Sequence, residues 1–427
     1  GFQTLDYVAL IAYLLAMVAM GAYFARRGKT TDDFFLAGRR IPWWAATLSI
    51  FSTQLSAITF MAIPGKAYAT DWVSILMNLG IILVSPLIVF WFLPFFRRLN
   101  ITTAYEYLEK RFGLAVRLYG SLCFIVYQLG RMGIVMFLPA LALATVTGFN
   151  VYACIAIMGI LCTIYTVLGG IEAVVWTDVL QTFVLVGGAL LSLVIVVSGV
   201  DGGLSGIVST GVEHQKFHVV NVSGGLASTA FWVVLIGGIF TNFIPFSTDQ
   251  SVIQRYLTTP TEKAAARAIW THAVMVAPSS ILFFGLGSAL FAFYKAKPEL
   301  LNPAAASTDM IFPWFIANEL PTGISGLVIA ALFAATMSSV DSGMNSIATV
   351  LVTDFYRRFV PNAPDRTCLR LARWLTVLIG VVATLSAVLI GWLDAKSLFD
   401  LFLKNAGLLG SSLAGVFLLG VLTRRAN

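Results

Sequence analysis

Apolar stretches of about twenty residues recur along this chain from end to end, and each is long enough to cross the roughly 30 Å hydrocarbon core of a bilayer. The pattern predicts eleven membrane-spanning helices, at about residues 5–25, 43–64, 72–96, 115–146, 150–168, 174–199, 228–249, 266–294, 324–353, 371–393 and 398–422. Little sequence is left between them, so residues 1–427 read as one all-α transmembrane domain. The first span runs into Arg26-Arg27 without a small-residue cleavage site, which predicts a retained helix rather than a secretory signal. The sequence starts without Met and stops just after a span, as a trimmed chain would.

Three of these spans carry polar residues where lipid would not tolerate them. Span nine contains Thr336-Met337-Ser338-Ser339-Val340-Asp341-Ser342-Gly343-Met344-Asn345, in which Ser338, Asp341, Ser342 and Asn345 share a helical face. A carboxylate at the centre of a membrane helix costs about 2.5–3.5 kcal/mol, so it is expected to face a cavity and a partner. Hydroxyls beside a carboxylate suit a hard cation. Span two holds Ser49-Ile50-Phe51-Ser52-Thr53-Gln54-Leu55-Ser56 and closes at Pro64, and span seven holds Thr241, Asn242 and Pro245 before Ser247-Thr248-Asp249-Gln250. Such spans are read either as proline kinks with back-bonded hydroxyls or as discontinuous helices whose freed backbone groups line a cavity. They lie five spans apart, an odd displacement that reverses the direction of crossing. The architecture expected is a five-plus-five inverted repeat (43–199 and 228–427) with an extra N-terminal helix (1–30) and a site near the midplane.

Composition agrees with a membrane protein: 59% hydrophobic, 11% charged, mean hydropathy +0.89. The net charge of +7 is explained by where the basic residues lie, without invoking nucleic acid. Arg26, Arg27, Lys29, Arg39 and Arg40 follow span one, and Arg97, Arg98, Lys110, Arg111 and Arg117 follow span three. Arg255, Lys263 and Arg267 follow span seven, Arg357, Arg358, Arg366, Arg370 and Arg373 follow span nine, and Arg424 and Arg425 follow the last. The opposite loops hold only Lys66, Lys216, Lys295, Lys297 and Lys396, so the N-terminus is expected outside and the C-terminus inside. Cys123, Cys154, Cys162 and Cys368 lack metal-site spacing, and His214, His218 and His272 have no acidic or cysteine cluster beside them. Without a nucleotide fingerprint or a catalytic constellation, an enzyme is not expected. Lys404, in the last span, either lines a pathway or snorkels.

Four segments resemble the sodium/solute symporter family: Asp33-Phe34-Phe35-Leu36-Ala37-Gly38-Arg39-Arg40, Leu168-Gly169-Gly170-Ile171-Glu172-Ala173-Val174-Val175-Trp176-Thr177-Asp178, Asp249-Gln250 with Gln254-Arg255-Tyr256, and the Ser338 to Asn345 run. Family members often carry one or two further helices beyond the point where this sequence stops. The Phe51 to Tyr68 segment and Gly130-Arg131 are most similar to bacterial sodium/sialic acid symporters. The resemblance implies one sodium ion held by backbone carbonyls of Ser52, Leu55 and Ala335 with the hydroxyls of Ser338 and Ser339. It implies a second around Asp178, Ser338 and Ser342, where Asp341 stands in place of a serine. It also implies a solute site of Ser56, Thr59, Asn78 and Arg131, with Gln54 and Ser74 beside them. Here Gln54 replaces a threonine, Ser74 a phenylalanine and Asn78 a glutamine. The function expected is sodium-coupled import of a small polar solute such as an acidic sugar, by alternating access in a bacterial inner membrane, with no obligate protein partner. A neutral-sugar or monocarboxylate symporter of the same fold is the nearest alternative, and a channel or membrane sensor is the alternative from another class.

Overall fold

The computed structural model describes residues 3–25, 29–222, 230–301, 310–392 and 406–423. In chain order the helices are α1 (Thr4–Phe24), α2 (Thr31–Leu36), α3 (Trp43–Gln54), α4 (Ala57–Ala69), α5 (Ile75–Arg98), α6 (Tyr105–Phe112), α7 (Leu114–Thr147) and α8 (Val151–Ser198). There follow α9 (Gly203–Glu213), α10 (Phe231–Ser247), α11 (Gln250–Leu257), α12 (Glu262–Ala296), α13 (Ile311–Asn318), α14 (Ile324–Phe359), α15 (Asp365–Trp392) and α16 (Gly407–Leu422). No strand occurs among the described residues. Arg26, Arg27, Lys396, Lys404, Arg424 and Arg425 lie outside them.

α8 absorbs spans five and six into one helical trace. Asn150 caps its start, accepting from the N–H groups of Tyr152 and Ala153. At 1.5 Å per residue a straight rod of its 48 residues would be about 70 Å long, more than two bilayer cores. It turns back at Gly170, whose φ of 58° and ψ of −154° are open to glycine and strained for other residues. Contacts with α1 show the reversal. Before the turn, Phe149 lies beside Tyr7 and Tyr165 beside Gly21, a parallel course. After it, Trp176 stacks on Phe24 and Gln181 reaches Met17, an antiparallel one. A Cβ on Gly170 would stand 2.8 Å from the Phe34 carbonyl oxygen of α2.

The two polar spans are bent, by 59° between α3 and α4 and by 58° between α10 and α11. The prolines are not the breaks: Pro64 and Pro245 lie inside α4 and α10, and the helices turn at Leu55-Ser56 and Thr248-Asp249. Span two therefore continues to Ala69 and span seven to Leu257, beyond the expected ends at 64 and 249. At the first break the Ser56 N–H bonds Gln54 O instead of continuing the ladder to Ser52 O. At the second, Asp249 caps α11 by accepting from the Ser251 N–H. The N–H of Ile41, just before α3, donates to Thr258 O, just after α11, so the two bent spans run in opposite directions.

Hydrogen bonds between loops define two faces. On the basic face Arg97 donates to Thr259 O, Glu109 takes both Arg117 and Arg358, Thr31 donates to Asp365, and Arg111 donates to Thr423 O. On the other face Asp6 accepts from the N–H groups of Gly323 and Gly326, Lys216 donates to Tyr68 O and Lys297 to Gly199 O. The described chain thus begins on one face and ends on the other, which requires an odd number of crossings. Seven helices are long and apolar enough to span, and the number is nine when each bent pair is counted as one crossing. With α8 crossing twice and the shorter α16 last, the described residues account for the eleven expected.

α14 is the central shaft, packed on α8, α7, α1 and α15. Of its most apolar window 89% is buried, against 28% for α1. Its Ala330, Ala331, Ala334, Ala335, Ser338, Ser339, Ser342 and Gly343 are small enough to let neighbouring backbones approach.

Candidate functional site

The break after α3 leaves carbonyl groups without helical donors, and α14 meets them with hydroxyls. Ser338 Oγ lies 3.0 Å from Ser52 O and 3.2 Å from Ala335 O. Ser339 Oγ lies 3.4 Å from both Thr53 O and Ala335 O. Ser52, Ala335, Ser338 and Ser339 are thus brought together in the buried interior, and Leu55, also buried, ends α3 one turn beyond Ser52. Freed carbonyls and hydroxyls are a neutral all-oxygen donor set, suited to a small hard cation.

Beside them lies a charged cluster with no exposure to solvent. Asp178 Oδ2 accepts from Arg255 Nη2 at 2.9 Å and from Ser49 Oγ at 2.5 Å, and both Asp178 and Arg255 are fully buried. Arg255 Nε donates to Ser49 Oγ at 2.7 Å, and its other nitrogens reach Ser251 O and Ser342 Oγ. Ser342 Oγ also lies 3.1 Å from Thr53 Oγ1 and 3.2 Å from Asp341 Oδ1. Asp341 points toward α8, where Tyr165 OH donates to its Oδ2 at 2.7 Å. Asn345 stands apart, accepting from Gln254. The buried guanidinium therefore pairs directly with Asp178 and reaches Asp341 only through the Ser342 hydroxyl, and Asp178 Oδ1 has no hydrogen-bond partner. Arg255 does not belong to a cytoplasmic loop as expected from its charge; every residue of α11 is buried.

Arg131, on α7, is buried and donates from Nη2 to Thr53 O at 2.8 Å. Its Nη1 lies 3.7 Å from Asp249 Oδ2. Gln54 has a buried Nε2 without a partner, Ser56 is buried at the start of α4, and Thr59 is half-buried one turn on. Ser74 and Asn78 are half-buried on or just before α5, which packs on α10 and α12. Among the described residues no hydrogen bond ties Ser56, Thr59, Ser74 or Asn78 to Arg131.

The Sodium:solute symporter family pattern matches residues 34–427. This chain belongs to that family. The symporter is 42% identical to the sodium/sialic acid symporter NanT of Aliivibrio fischeri over all of its own length and 84% of the relative's. It is 41% identical to the sodium/sialic acid symporter SiaT of Proteus mirabilis, over all of this chain and 86% of that one. The human sodium-coupled monocarboxylate transporter 1 is 31% identical, with all of this chain and 70% of that one covered. Among solved structures, a substrate-bound, outward-open sodium-coupled sialic acid symporter superposes with a TM-score of 0.93 at 41% identity, covering all of this chain and 89% of the other. A nucleobase-cation-symport-1 transporter shares the fold at TM-score 0.59 and 18% identity, over 92% and 81% of the two chains. The protein is therefore a multi-pass, sodium-coupled solute symporter, not an enzyme, and neither the channel nor the sensor that its helices alone left open.

Sequence reasoning passed over four residues that this symporter places in the charged cluster or at its edge: Ser49, Thr53, Tyr165 and Arg255. A signal existed for one of them. Arg255 and the adjacent Gln254 are flanked by Val252 and Ile253 on one side and Tyr256 and Leu257 on the other, an environment that a solvated loop base would not have.

Proposed function

We propose that this symporter imports a sialic acid or a closely related acidic sugar across a bacterial inner membrane, coupled to two sodium ions. The similarity to two bacterial sodium/sialic acid symporters over the whole chain carries the reading. The buried Arg131 at the first helix break supports an anionic solute, and in this reading Gln54, Ser56, Thr59, Ser74 and Asn78 complete the solute site. One ion is held by carbonyls of Ser52, Leu55 and Ala335 and hydroxyls of Ser338 and Ser339. The second uses Asp178, Ser338, Asp341 and Ser342, where the unpartnered Asp178 Oδ1 offers a ligand while Oδ2 keeps Arg255. Ions at these positions tie α3 to α14, so binding favours the state in which that junction is closed and the solute site is assembled. The repeats are 43–199 and 228–427, with residues 1–30 outside them, and the basic face lies in the cytoplasm, leaving the N-terminus outside.

Each ion entering across 100 mV supplies about 2.3 kcal/mol, and a tenfold gradient about 1.4 kcal/mol more. Two ions therefore drive steep accumulation. The test is uptake into proteoliposomes from a panel of labelled solutes. N-Acetylneuraminic acid should accumulate with a sodium gradient and stop when choline replaces sodium; accumulation of a neutral sugar or a short monocarboxylate instead would reassign the substrate. The departures at Gln54, Ser74 and Asn78 make that alternative worth including.

A further inference from the structure

Arg131 and Asp249 are both buried, 5% and 3% exposed, and they face each other as an ion pair without a hydrogen bond. A guanidinium carries five N–H donors. Among the described residues Arg131 uses one for a hydrogen bond, Nη2 to Thr53 O, and its Nε has no partner. Asp249 divides its carboxylate. Oδ1 caps α11, accepting from the Ser251 N–H at 2.8 Å and the Ser251 hydroxyl at 2.6 Å. Oδ2 accepts no hydrogen bond and stands 3.7 Å from Arg131 Nη1, too far for one.

We infer that Asp249 is the resident counter-anion of Arg131, that the carboxylate of an anionic solute replaces it, and that competition from Asp249 holds down the preference for anionic over uncharged solutes. The inference rests on reading Arg131 as a solute-binding residue. A carboxylate free to orient can take a guanidinium through two parallel hydrogen bonds at about 2.7–2.9 Å. Asp249 cannot, because its other oxygen is pinned at the start of α11. The solute therefore wins on geometry, and the unpairing of a buried Asp249 is charged against its affinity. Position adds a conformational consequence. Thr53 lies at the break of the first bent span and Asp249 at the break of the second, so Arg131 bridges both breaks. A carboxylate that draws Arg131 away from Asp249 releases one end of that bridge; an uncharged solute leaves it in place.

Asp249→Asn tests this, because asparagine caps a helix as well as aspartate and only the charge is removed. Uptake KM would be measured in proteoliposomes for N-acetylneuraminic acid and for its uncharged 1-amide. The variant should lower KM for the acid about tenfold, equal to about 1.4 kcal/mol, and leave KM for the amide unchanged. Equal shifts for both solutes, or no shift, would overturn the inference. Asp249→Ser, a second cap-competent residue, repeats the measurement if the first variant does not fold, and loss of the fold in both would make Asp249 a structural charge and equally overturn it. The two readings fail differently: a wild-type protein indifferent to acid and amide removes the role of Arg131, whereas a wild-type preference that Asp249→Asn leaves unchanged removes only that of Asp249.

Discussion

A fully buried arginine has to find an anion, and Arg255 finds Asp178 across the junction of α11, α3 and α8. Breaking such a pair by removing one partner typically costs about 3–5 kcal/mol, because the other charge stays buried and alone. Arg255→Ala should therefore lower the thermal unfolding temperature in detergent, and adding Asp178→Asn should recover part of the loss; additive losses would show that the two are not coupled. Ser338→Ala and Ser339→Ala remove hydroxyls proposed to hold the first ion without creating a buried charge, so the fold should persist while sodium affinity in uptake falls at least about tenfold. Normal sodium affinity in both variants would remove the first ion site. Asp341→Ser should leave the protein folded and change the sodium dependence of uptake, and an unaltered Hill coefficient and coupling ratio would count against a part for Asp341 in the second site. Its bond from Tyr165 gives the carboxylate a partner on α8 that the spacing along α14 did not suggest.

At the level of elements, the bends and the turn in α8 show how far local sequence reaches. The polar character of spans two and seven correctly predicted discontinuity, but the prolines pointed to the wrong places. Pro64 and Pro245 are tolerated inside helices, and the chain instead breaks where Ser56 bonds back to Gln54 and where Asp249 can cap a new helix. Gly169-Gly170 lay between two expected spans, and its role as a tight reversal appears only with α1 and α2 packed around it. Gly170→Ala should destabilise the protein severely: its combination of positive φ with extended ψ is essentially confined to glycine and costs another residue about 1–3 kcal/mol, and the added methyl would collide with the backbone of Phe34. Detergent-solubilised protein recovered by size exclusion would report this, and a monodisperse yield equal to wild type would show that α2 gives way.

For the whole molecule, the two loop faces make topology testable. Single cysteines introduced at Asp201 and at Asn362 on a background without the four native cysteines should react with a membrane-impermeant maleimide in intact cells at 201 and only after lysis at 362. The reverse pattern would invert the orientation. Span number, the alternation of basic loops, the presence of broken helices and the oxygen-rich character of α14 are legible in the sequence, because hydropathy, charge and side-chain type are local properties that a bilayer sorts directly. The tertiary structure alone decided which helix forms the shaft, where Arg255 goes and which oxygens converge. The ion pair of Arg255 joins positions 77 residues apart, and the bond of Ser338 to the Ser52 carbonyl joins positions 286 apart. No spacing rule spans such separations; only the packing of α3, α8 and α11 against α14 brings those atoms within reach.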